Sequence, residues 1–346
     1  QNFSETVEGY SGVYEWQRRA DIVNDLDQCF TDGAGIISHD LMCAIASRLG
    51  LPSLPSALQI RMGGDKGMVV KGDKYDASLK GLVLSTRPSQ HKFDSDFKAI
   101  DVCLGGESVF KPGHLNRQLI LLLSARGIGE HCFRSLQHEM SKPLRLLLDA
   151  AQGSDHADTS ALVDAAERFH PRAIVLDMLR GGVEPSSEEL LSRMLRQLAK
   201  AHLERIRDSG RIHVQRSCLL RGVPDYDGGE LRDGECFFWP QVPEDANRFA
   251  KPITGKVIIA KNPALHPGDV RVLRAVDRRS EDAKRRGEGL RNVLVFPVVG
   301  PRPESHKSAG GDLDGDEFLI MWSNRLTGCS AREPSNAYTV QDRQQQ

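Results

Sequence analysis

The chain has 346 residues, of which 39% are hydrophobic, and a formal net charge of −1 at pH 7. This length and apolar content allow a large buried core and predict two compact units. The near-zero net charge excludes a surface that is basic throughout, so any nucleic-acid site must be a local basic patch. The sequence starts with Gln1 rather than methionine and ends in a glutamine-rich segment, which predicts a core taken from a longer protein.

Cysteine spacing and hydropathy indicate the compartment. The sequence has seven cysteines and no Cys-x-x-Cys pair. This pattern predicts free thiols in a reducing compartment and argues against structural zinc. No apolar run approaches the roughly 18 residues of a membrane span, and no signal-peptide pattern opens the chain. We therefore expect an intracellular protein, cytoplasmic or nuclear, that has no membrane partner.

Hydrophobic periodicity predicts short β-type runs at 59–102, mostly helices at 115–205, and strands again at 211–238 and 255–322. We divide the chain into five regions around these segments. In order they are a leading helical segment at 1–50, a β-rich region at 51–110, a helical connector at 111–210, a second β-rich region at 211–325 and a tail at 326–346. In the first region a helix is predicted from His39 to Leu49, with Gly50 ending it. In the connector, Ser186 and Glu189 predict a capping box for the last helix, which Gly210 would end.

Two basic stretches each have two interpretations. The last helix of the connector carries five basic side chains, and the segment at 278–286 mixes arginines with acidic residues. Each stretch is either a solvated surface or a contact for RNA phosphates, and the acidic residues in the second favour an exposed loop. The basic residues of the helix are Arg193, Arg196, Lys200, Arg205 and Arg207.

The most informative stretch runs from Asp312 to Asp316 and places a carboxylate at every second position. In an extended strand such side chains lie about 6–7 Å apart, too far to share an ion whose ligands lie at about 2.1 Å. The backbone must therefore curl, and the nearby glycines, such as Gly315, supply that freedom. Strand-like runs at 292–296 and 318–322 flank the segment. The triad is thus predicted at the tip of a loop between two buried strands.

Three interpretations of this loop compete. A Ca²⁺-binding EF-hand needs glycine at loop position six and a carboxylate at position twelve, but Glu317 and Ser323 stand there. A solvated acidic turn of Asp and Gly is common in loops, but it seldom lies between runs this apolar. The remaining interpretation is a carboxylate cage for Mg²⁺, which substrate phosphates usually complete. Such a cage indicates phosphoryl or nucleotidyl transfer.

Five segments taken together resemble one protein family. The loop at 310–318 resembles the active-site loop of the cell-encoded RNA-dependent RNA polymerases of eukaryotic RNA silencing. A related triad occurs in the largest subunit of multisubunit DNA-dependent RNA polymerases, so the loop alone does not choose between the two. Four further segments favour the silencing family, because they resemble it in the same order. They are TDGAGIIS at 31–38, QIRMGGDKG at 59–67, RPSQHKF at 87–93 and NPALHPGD at 262–269.

The resemblance implies an α+β fold with two double-psi β-barrel units joined by a helical connector. The first barrel corresponds to residues 51–110 and the second to residues 211–325, with the active site in the cleft between them. Periodicity alone predicts only short strands in these regions. The resemblance also implies that Asp312, Asp314 and Asp316 are catalytic and hold Mg²⁺, for which Mn²⁺ can substitute.

The first barrel is implied to supply cations to this cleft. Lys66 and Lys92, with Arg61 beside them, are expected to contact the incoming triphosphate or the RNA backbone. From the residues alone, Lys66 is better interpreted as a turn lysine next to Asp65. The resemblance therefore decides between these two interpretations.

The second barrel is implied to line the same cleft with Asn262, His266 and Asp269, which would bind substrate or RNA. His266 has an alternative interpretation as a turn histidine bonded to backbone groups. Lys261 departs from the family, in which arginine is expected before the Asn-Pro pair. An ammonium group cannot reproduce a guanidinium fork, so a bidentate contact at this position is in doubt.

The function implied by the resemblance is RNA-dependent RNA polymerization. The 3′ hydroxyl of a growing RNA would attack the α-phosphate of an NTP, release pyrophosphate and make double-stranded RNA for RNA silencing. The implied partners are a single-stranded RNA template, the nascent RNA and NTPs. The alternative is a catalytically inactive RNA-binding or scaffold module derived from a polymerase. Loss of a triad aspartate would favour that alternative, and all three are present.

Overall fold

The computed structural model describes residues 6–74, 76–153, 158–169, 171–225, 229–241, 251–278, 280 and 289–328. The chain forms two compact units. The first combines Gln1–Gly113 with Arg216–Gln346, and the second is His114–Gln215. Both predicted β-rich regions thus contribute to the first unit, and most of the helical connector forms the second. Most of the mixed-charge stretch at 278–286 and nearly all of the predicted tail lie outside the described residues.

The first sheet has seven strands in the order β1-β7-β4-β5-β3-β6-β2. They are β1 (Thr6–Tyr10), β2 (Glu15–Arg18), β3 (Ala34–Ile37), β4 (Ala57–Met62), β5 (Asp65–Lys71), β6 (Val83–Thr86) and β7 (Ile100–Glu107). β4 and β5 form an antiparallel hairpin in which Arg61 lies opposite Lys66. β3 runs parallel to β5, so a strand from the first 50 residues lies inside the sheet.

Residues 1–50 therefore differ from the predicted leading helical segment. The predicted helix is present as α1 (His39–Arg48), and Ser38 caps it by accepting a hydrogen bond from the Leu41 N–H at 3.2 Å. Three strands precede this helix and belong to the first sheet. Each has only four or five residues, too few for periodicity to distinguish a strand from a loop.

The second sheet also has seven strands, in the order β13-β10-β12-β11-β14-β9-β8. They are β8 (Lys111–His114), β9 (His213–Pro224), β10 (Glu235–Phe238), β11 (Gly255–Lys261), β12 (Arg271–Ala275), β13 (Val293–Phe296) and β14 (Glu317–Met321). β13 also pairs with β9 in parallel, with Val293 opposite Arg221. This additional pairing closes six of the strands into a barrel and leaves β8 outside, next to β9.

A shared hydrophobic core joins the two sheets within the first unit. Met68 and Val70 of β5 pack in one cluster with Val223 of β9 and Phe237 of β10. Removal of this apolar surface from water is the main force that holds the sheets together. Strand β5 of the first sheet is therefore held against strands β9 and β10 of the second.

The described part of the second unit contains five helices, namely α2 (Arg117–Ala125), α3 (Glu130–Ala151), α4 (Thr159–Glu167), α5 (Ala173–Arg180) and α6 (Glu189–Ser209). Gly210 ends α6 in the left-handed conformation at φ +62°, as predicted. The predicted capping box is wrong, because the N-cap is Glu188, whose carboxylate accepts from the Leu190 N–H at 3.0 Å. Among the described helices, none combines the length and the apolar character needed to cross a membrane.

Candidate active site

The aspartate loop, residues 310–316, lies between the short helix α7 (Glu304–Lys307) and β14. Its backbone curls as predicted, with Gly310 at φ +64° and Gly315 at φ +137°. The curl lets the Asp312 N–H donate to Asp316 Oδ2 at 3.0 Å. Asp312, Asp314 and Asp316 can each place one carboxylate oxygen within 4.8 Å of the others. The three side chains thus converge, as the spacing and the glycines predicted.

Leu313 anchors the loop from the middle of the triad. Its side chain is 2% exposed and packs in the core of the barrel together with Ala34 of β3. Its N–H donates to the Asp32 carbonyl at 2.9 Å. Gly33, at φ +80°, lies so close that an added Cβ would be 2.6 Å from the Cβ of Asp314. A turn of the first sheet therefore fixes the loop, and only glycine fits at its point of closest approach.

Burial and mutual repulsion dominate the electrostatics of the triad. Removal from water, and then the neighbouring Asp314 and Asp316 carboxylates, raise the pKa of Asp312 to about 7 from 3.8. A divalent cation relieves this repulsion, and carboxylate oxygens are the ligands that Mg²⁺ prefers. Opposite ligands of Mg²⁺ lie about 4.2 Å apart, and the carboxylate oxygens lie within 4.8 Å of one another, close to that spacing. The donor set and its spacing fit a divalent metal.

Two lysines face the triad and balance part of its charge. Lys66 Nζ lies 2.6 Å from Asp314 Oδ2, and Lys261 Nζ lies 2.5 Å from Asp316 Oδ2. The hydrogen bond to Asp314 raises the pKa of Lys66. These five residues, Asp312, Asp314, Asp316, Lys66 and Lys261, are called the aspartate group below. The turn interpretation of Lys66 is incomplete, because its ammonium reaches the triad from the other sheet.

The β4–β5 hairpin delivers Lys66 to this position. Its turn consists of Gly63 and Gly64, both at positive φ, +54° and +86°. The hairpin register places Arg61 opposite Lys66, and the neighbouring β7 places Asp101 on the other side of Arg61. Arg61 thus lies beside Lys66, as expected, and its charge opposes the increase in the Lys66 pKa that Asp314 causes.

Sequence reasoning missed two residues that bind the backbone of the loop. Gln59 Nε2 donates to the Asp314 carbonyl at 2.9 Å, and Arg221 Nη1 donates to the Gly315 carbonyl at 2.7 Å. Gln59 opens one of the segments that resemble the polymerase family, which was a signal for its importance. Arg221 lies on β9 outside those segments, and its position in the sequence gave no such signal.

Lys92 does not contact the triad directly. Its side chain is exposed, and its ammonium donates to the Ser89 carbonyl at 3.0 Å rather than to a triad carboxylate. Ser89 is connected to the site, because its hydroxyl accepts from the Gly33 N–H at 3.0 Å. Lys92 is thus near the turn that contacts Asp314, and its contact with substrate stays a prediction.

The segment after β11 forms a tight turn built around Asp269. Asp269 is only 5% exposed. Its carboxylate accepts hydrogen bonds from the Leu265 N–H at 3.0 Å and from the His266 N–H at 2.9 Å. His266 Nδ1 accepts from the Gly268 N–H at 3.0 Å, in agreement with its interpretation as a turn histidine. Asn262 is exposed at the start of the segment. The contacts of His266 and Asp269 therefore organise this turn, and a role for all three in binding stays a prediction.

A second charged cluster supports the other end of the loop. Glu304 of α7 is 2% exposed and accepts from Lys307 Nζ at 2.7 Å and from Arg271 Nε at 3.3 Å. Lys307 also contacts Asp233 at 3.1 Å. These four residues are called the Glu304 group below. They tie α7 to β12 a few residues before the aspartate loop begins.

Comparisons with known proteins agree on one family. The family described as RNA dependent RNA polymerase matches residues 1–346. RNA-dependent RNA polymerase 6 of Arabidopsis thaliana is 35% identical over 312 residues, which cover 86% of this chain and 25% of that protein. RNA-dependent RNA polymerase 1 of Schizosaccharomyces pombe is 31% identical over 345 residues, which cover 94% of this chain and 27% of that protein. The chain thus spans about a quarter of the length of these relatives.

A solved structure shows the same fold. The RNA dependent RNA polymerase QDE-1 from Thielavia terrestris matches with a TM-score of 0.80 and 23% identity, over 97% of this chain and 39% of that one. The prediction of an α+β fold with double-psi β-barrels is confirmed by this match and by the closed six-stranded barrel. Because the family match extends over the whole sequence, we conclude that the chain belongs to the RNA-dependent RNA polymerase family.

Proposed function

We propose that this chain carries the nucleotidyl-transfer centre of an RNA-dependent RNA polymerase that copies single-stranded RNA into double-stranded RNA. The observation that supports the proposal most is the convergence of three carboxylates opposite Lys66 and Lys261. This pairing suits a substrate that arrives as a polyanion together with a divalent cation. Production of double-stranded RNA for RNA silencing is part of the same proposal.

In the proposed reaction the 3′ oxygen of the nascent RNA forms a bond to the α-phosphorus of an NTP. The bond from that phosphorus to the bridging oxygen breaks, pyrophosphate leaves, and the hydroxyl proton passes to solvent. When bound by Asp312, Asp314 and Asp316, Mg²⁺ or Mn²⁺ would neutralise charge on the attacking and leaving oxygens. The chain contributes positioning and charge rather than a covalent nucleophile.

The two lysines of the aspartate group are proposed to bind the triphosphate. Each ammonium is partly exposed and bonded to a carboxylate, with side-chain exposures of 42% for Lys66 and 20% for Lys261. When a nucleotide enters with its cation, each lysine can exchange its carboxylate for a phosphate oxygen and so remain paired. Arg61, next to Lys66 across the hairpin, would add charge to the same side.

The remaining predicted binding residues have weaker support. Lys92 and Asn262 are exposed and accessible to RNA phosphates. His266 is exposed at its turn, and we propose that Asp269 holds this turn rather than touching RNA, because its carboxylate already accepts two backbone N–H groups. A template or nascent strand would therefore meet Asn262 and His266 before Asp269.

The test is incorporation of labelled NTPs by the purified chain on single-stranded RNA with Mg²⁺ or Mn²⁺. The proposal predicts template-dependent product that EDTA and Asp314→Asn both abolish. The alternative, an inactive RNA-binding or scaffold module, predicts RNA binding that falls with salt and no incorporation under any metal condition. RNA binding without incorporation by the wild-type chain would favour that alternative.

A further inference from the structure

Arg221 links three separate parts of the first unit through one side chain. It lies on β9, paired to Val293 of β13 on one side and to Glu317 of β14 on the other. Its Nη1 donates to the Gly315 carbonyl at 2.7 Å, and its Nη2 donates to the Gly105 carbonyl at 2.8 Å. The backbone of Arg221 is therefore fixed at the closure of the barrel, while its guanidinium reaches both the aspartate loop and β7.

The same guanidinium also acts on the loop through Gln59. Arg221 Nη1 lies 3.4 Å from Gln59 Oε1, and the Nε2 of Gln59 donates to the Asp314 carbonyl at 2.9 Å. Consecutive carbonyls of the loop, those of Asp314 and Gly315, are thus held by a connected pair of side chains. Both side chains come from strands rather than from the loop itself, and strands provide the more rigid support.

Arg221 binds the loop at a residue whose backbone conformation is unusual. Gly315 has φ +137°, a conformation that side-chain-bearing residues rarely adopt, and an added Cβ would collide with the Gln59 amide. Asp314 and Asp316 flank this glycine and carry two of the three converging carboxylates. A change in the direction of the Gly315 peptide would turn these carboxylates relative to each other and to Lys66.

We infer that Arg221 is a positioning residue for the proposed reaction. Through Gly315 directly and through Gln59, it sets the separation of the Asp314 and Asp316 carboxylates and the distance from Asp314 to Lys66. A planar fork can satisfy carbonyls on two elements at once, whereas the ammonium of lysine acts as a single point charge. The inference rests on the proposed function, because the purpose of the positioning is to prepare the metal and nucleotide site.

The test compares Arg221→Met with Arg221→Lys and with Arg216→Met as a matched control. Arg216 lies on the same strand, and its side chain is exposed. Hydrogen exchange of the peptide at 310–318 is measured in EDTA, Mn²⁺ affinity by isothermal titration, and kcat and KM for NTP by incorporation. Thermal unfolding identifies variants that fold.

Arg221→Met is expected to accelerate exchange of the loop peptide about tenfold, because opening the loop no longer breaks the hydrogen bond from Arg221 to the Gly315 carbonyl. Mn²⁺ should bind about tenfold more weakly, the lower end of the range for losing an outer partner of a metal site. The value of kcat should fall while KM for NTP changes little. Arg221→Lys should lie between Arg221→Met and the wild type, and Arg216→Met should match the wild type.

The exchange and Mn²⁺ measurements separate this inference from the proposed function. If the wild-type chain incorporates no NTP but Arg221→Met still loosens the loop and weakens Mn²⁺ binding, the positioning role stands and the proposed function fails. If Arg221→Met folds and keeps wild-type loop exchange and Mn²⁺ affinity, the inference is overturned. Should Arg221→Met fail to fold, the same criteria apply to Arg221→Lys, which keeps the charge and the aliphatic stem.

Discussion

The aspartate group and the Glu304 group lie at the two ends of one short stretch of chain, and they balance their charges in different ways. In the Glu304 group the buried carboxylate of Glu304 has two cationic partners, Lys307 and Arg271. In the aspartate group three carboxylates converge on two lysines, so negative charge is in excess. The charges of the Glu304 group balance within the protein, whereas the aspartate group keeps an excess of negative charge that a bound cation would balance.

This difference distinguishes charged groups that stabilise the fold from charged groups that are proposed to bind a metal and substrate. Burial of an ionised group is tolerated when a partner of opposite sign and hydrogen bonds offset its desolvation. The Glu304 group meets this condition and holds α7 in place. Asp312 does not meet it, because burial and the like charges of Asp314 and Asp316 raise its pKa to about 7. The fold thus maintains an electrostatically unfavourable cluster, which is expected of a site for a metal and a polyanion.

The largest effect is expected from breaking the aspartate group. Asp314→Ala should reduce RNA synthesis to the level seen in EDTA, because the central carboxylate of the metal cluster is lost. Synthesis is measured with labelled NTPs at saturating Mn²⁺. Asp40→Ala, at an exposed position on α1, provides the control and should keep full activity. Polymerization by Asp314→Ala would show that the triad is not the metal site.

Breaking the Glu304 group should instead reduce stability. Glu304→Gln leaves Lys307 and Arg271 without their shared buried anion, and removal of one partner from a buried ion pair costs about 3–5 kcal/mol of unfolding free energy. Urea unfolding measures this loss. Glu189→Gln, which removes an exposed carboxylate 3.2 Å from Arg193, should cost less than about 1 kcal/mol. Equal losses of unfolding free energy in the two variants would mean that the Glu304 group stabilises the fold no more than an exposed ion pair does.

Removing a cation from the aspartate group should affect catalysis more than folding. Lys66→Ala is expected to lower kcat/KM for NTP by about 10²-fold, the scale typical of losing one electrostatic donor in a transition state. Lys92→Ala should have a smaller effect, because Lys92 bonds to the Ser89 carbonyl rather than to the triad. The exposed Lys80 provides a control through Lys80→Ala. Wild-type kinetics in Lys66→Ala would contradict the proposed contact with the triphosphate.

The smallest effect concerns the stability of the metal-free protein. The pKa of Asp312 is raised from 3.8 to about 7 in the folded state, so its ionisation destabilises the fold progressively as pH rises between these values. Asp312→Asn cannot ionise and should raise Tm in EDTA by about 5 °C at pH 7.5. The gain should vanish near pH 4 and reverse when Mn²⁺ is added at pH 7.5. A gain that is independent of pH would point to packing rather than charge.

Features of the fold that depend on neighbouring residues were predicted from the sequence more accurately than contacts between residues far apart in the chain. The strands around the triad, the curl at Gly315 and the end of α6 at Gly210 follow from short patterns and were confirmed. The strands before α1 were missed, since four or five residues carry too little periodicity. The capping box at Ser186 was wrong, because Glu188 supplies the cap instead.

The candidate site was predictable to the extent that its residues share one segment. The convergence of the three aspartates follows from their spacing and the glycines beside them. The partners of the triad come from far away in the sequence: Gln59 and Asp314 are separated by 255 positions, and Lys66 and Asp314 by 248. Only the pairing order of the strands brings them together, and local periodicity carries no information about that order. The resemblance predicted a role for Lys66. The pairing of Lys261 with Asp316 and the contact of Arg221 with the loop became visible only in the structure.

The central claim is that the aspartate group accepts a nucleotide only together with a metal ion. The most direct measurement is NTP binding by the wild-type chain and by Asp316→Ala, each with and without Mn²⁺. We expect the wild type to bind NTP in Mn²⁺ and only weakly without it, because the bare carboxylates repel a triphosphate. Asp316→Ala should lose most of the Mn²⁺-dependent gain. Equal NTP binding in all four conditions would contradict the account and favour an RNA-binding module without a catalytic centre.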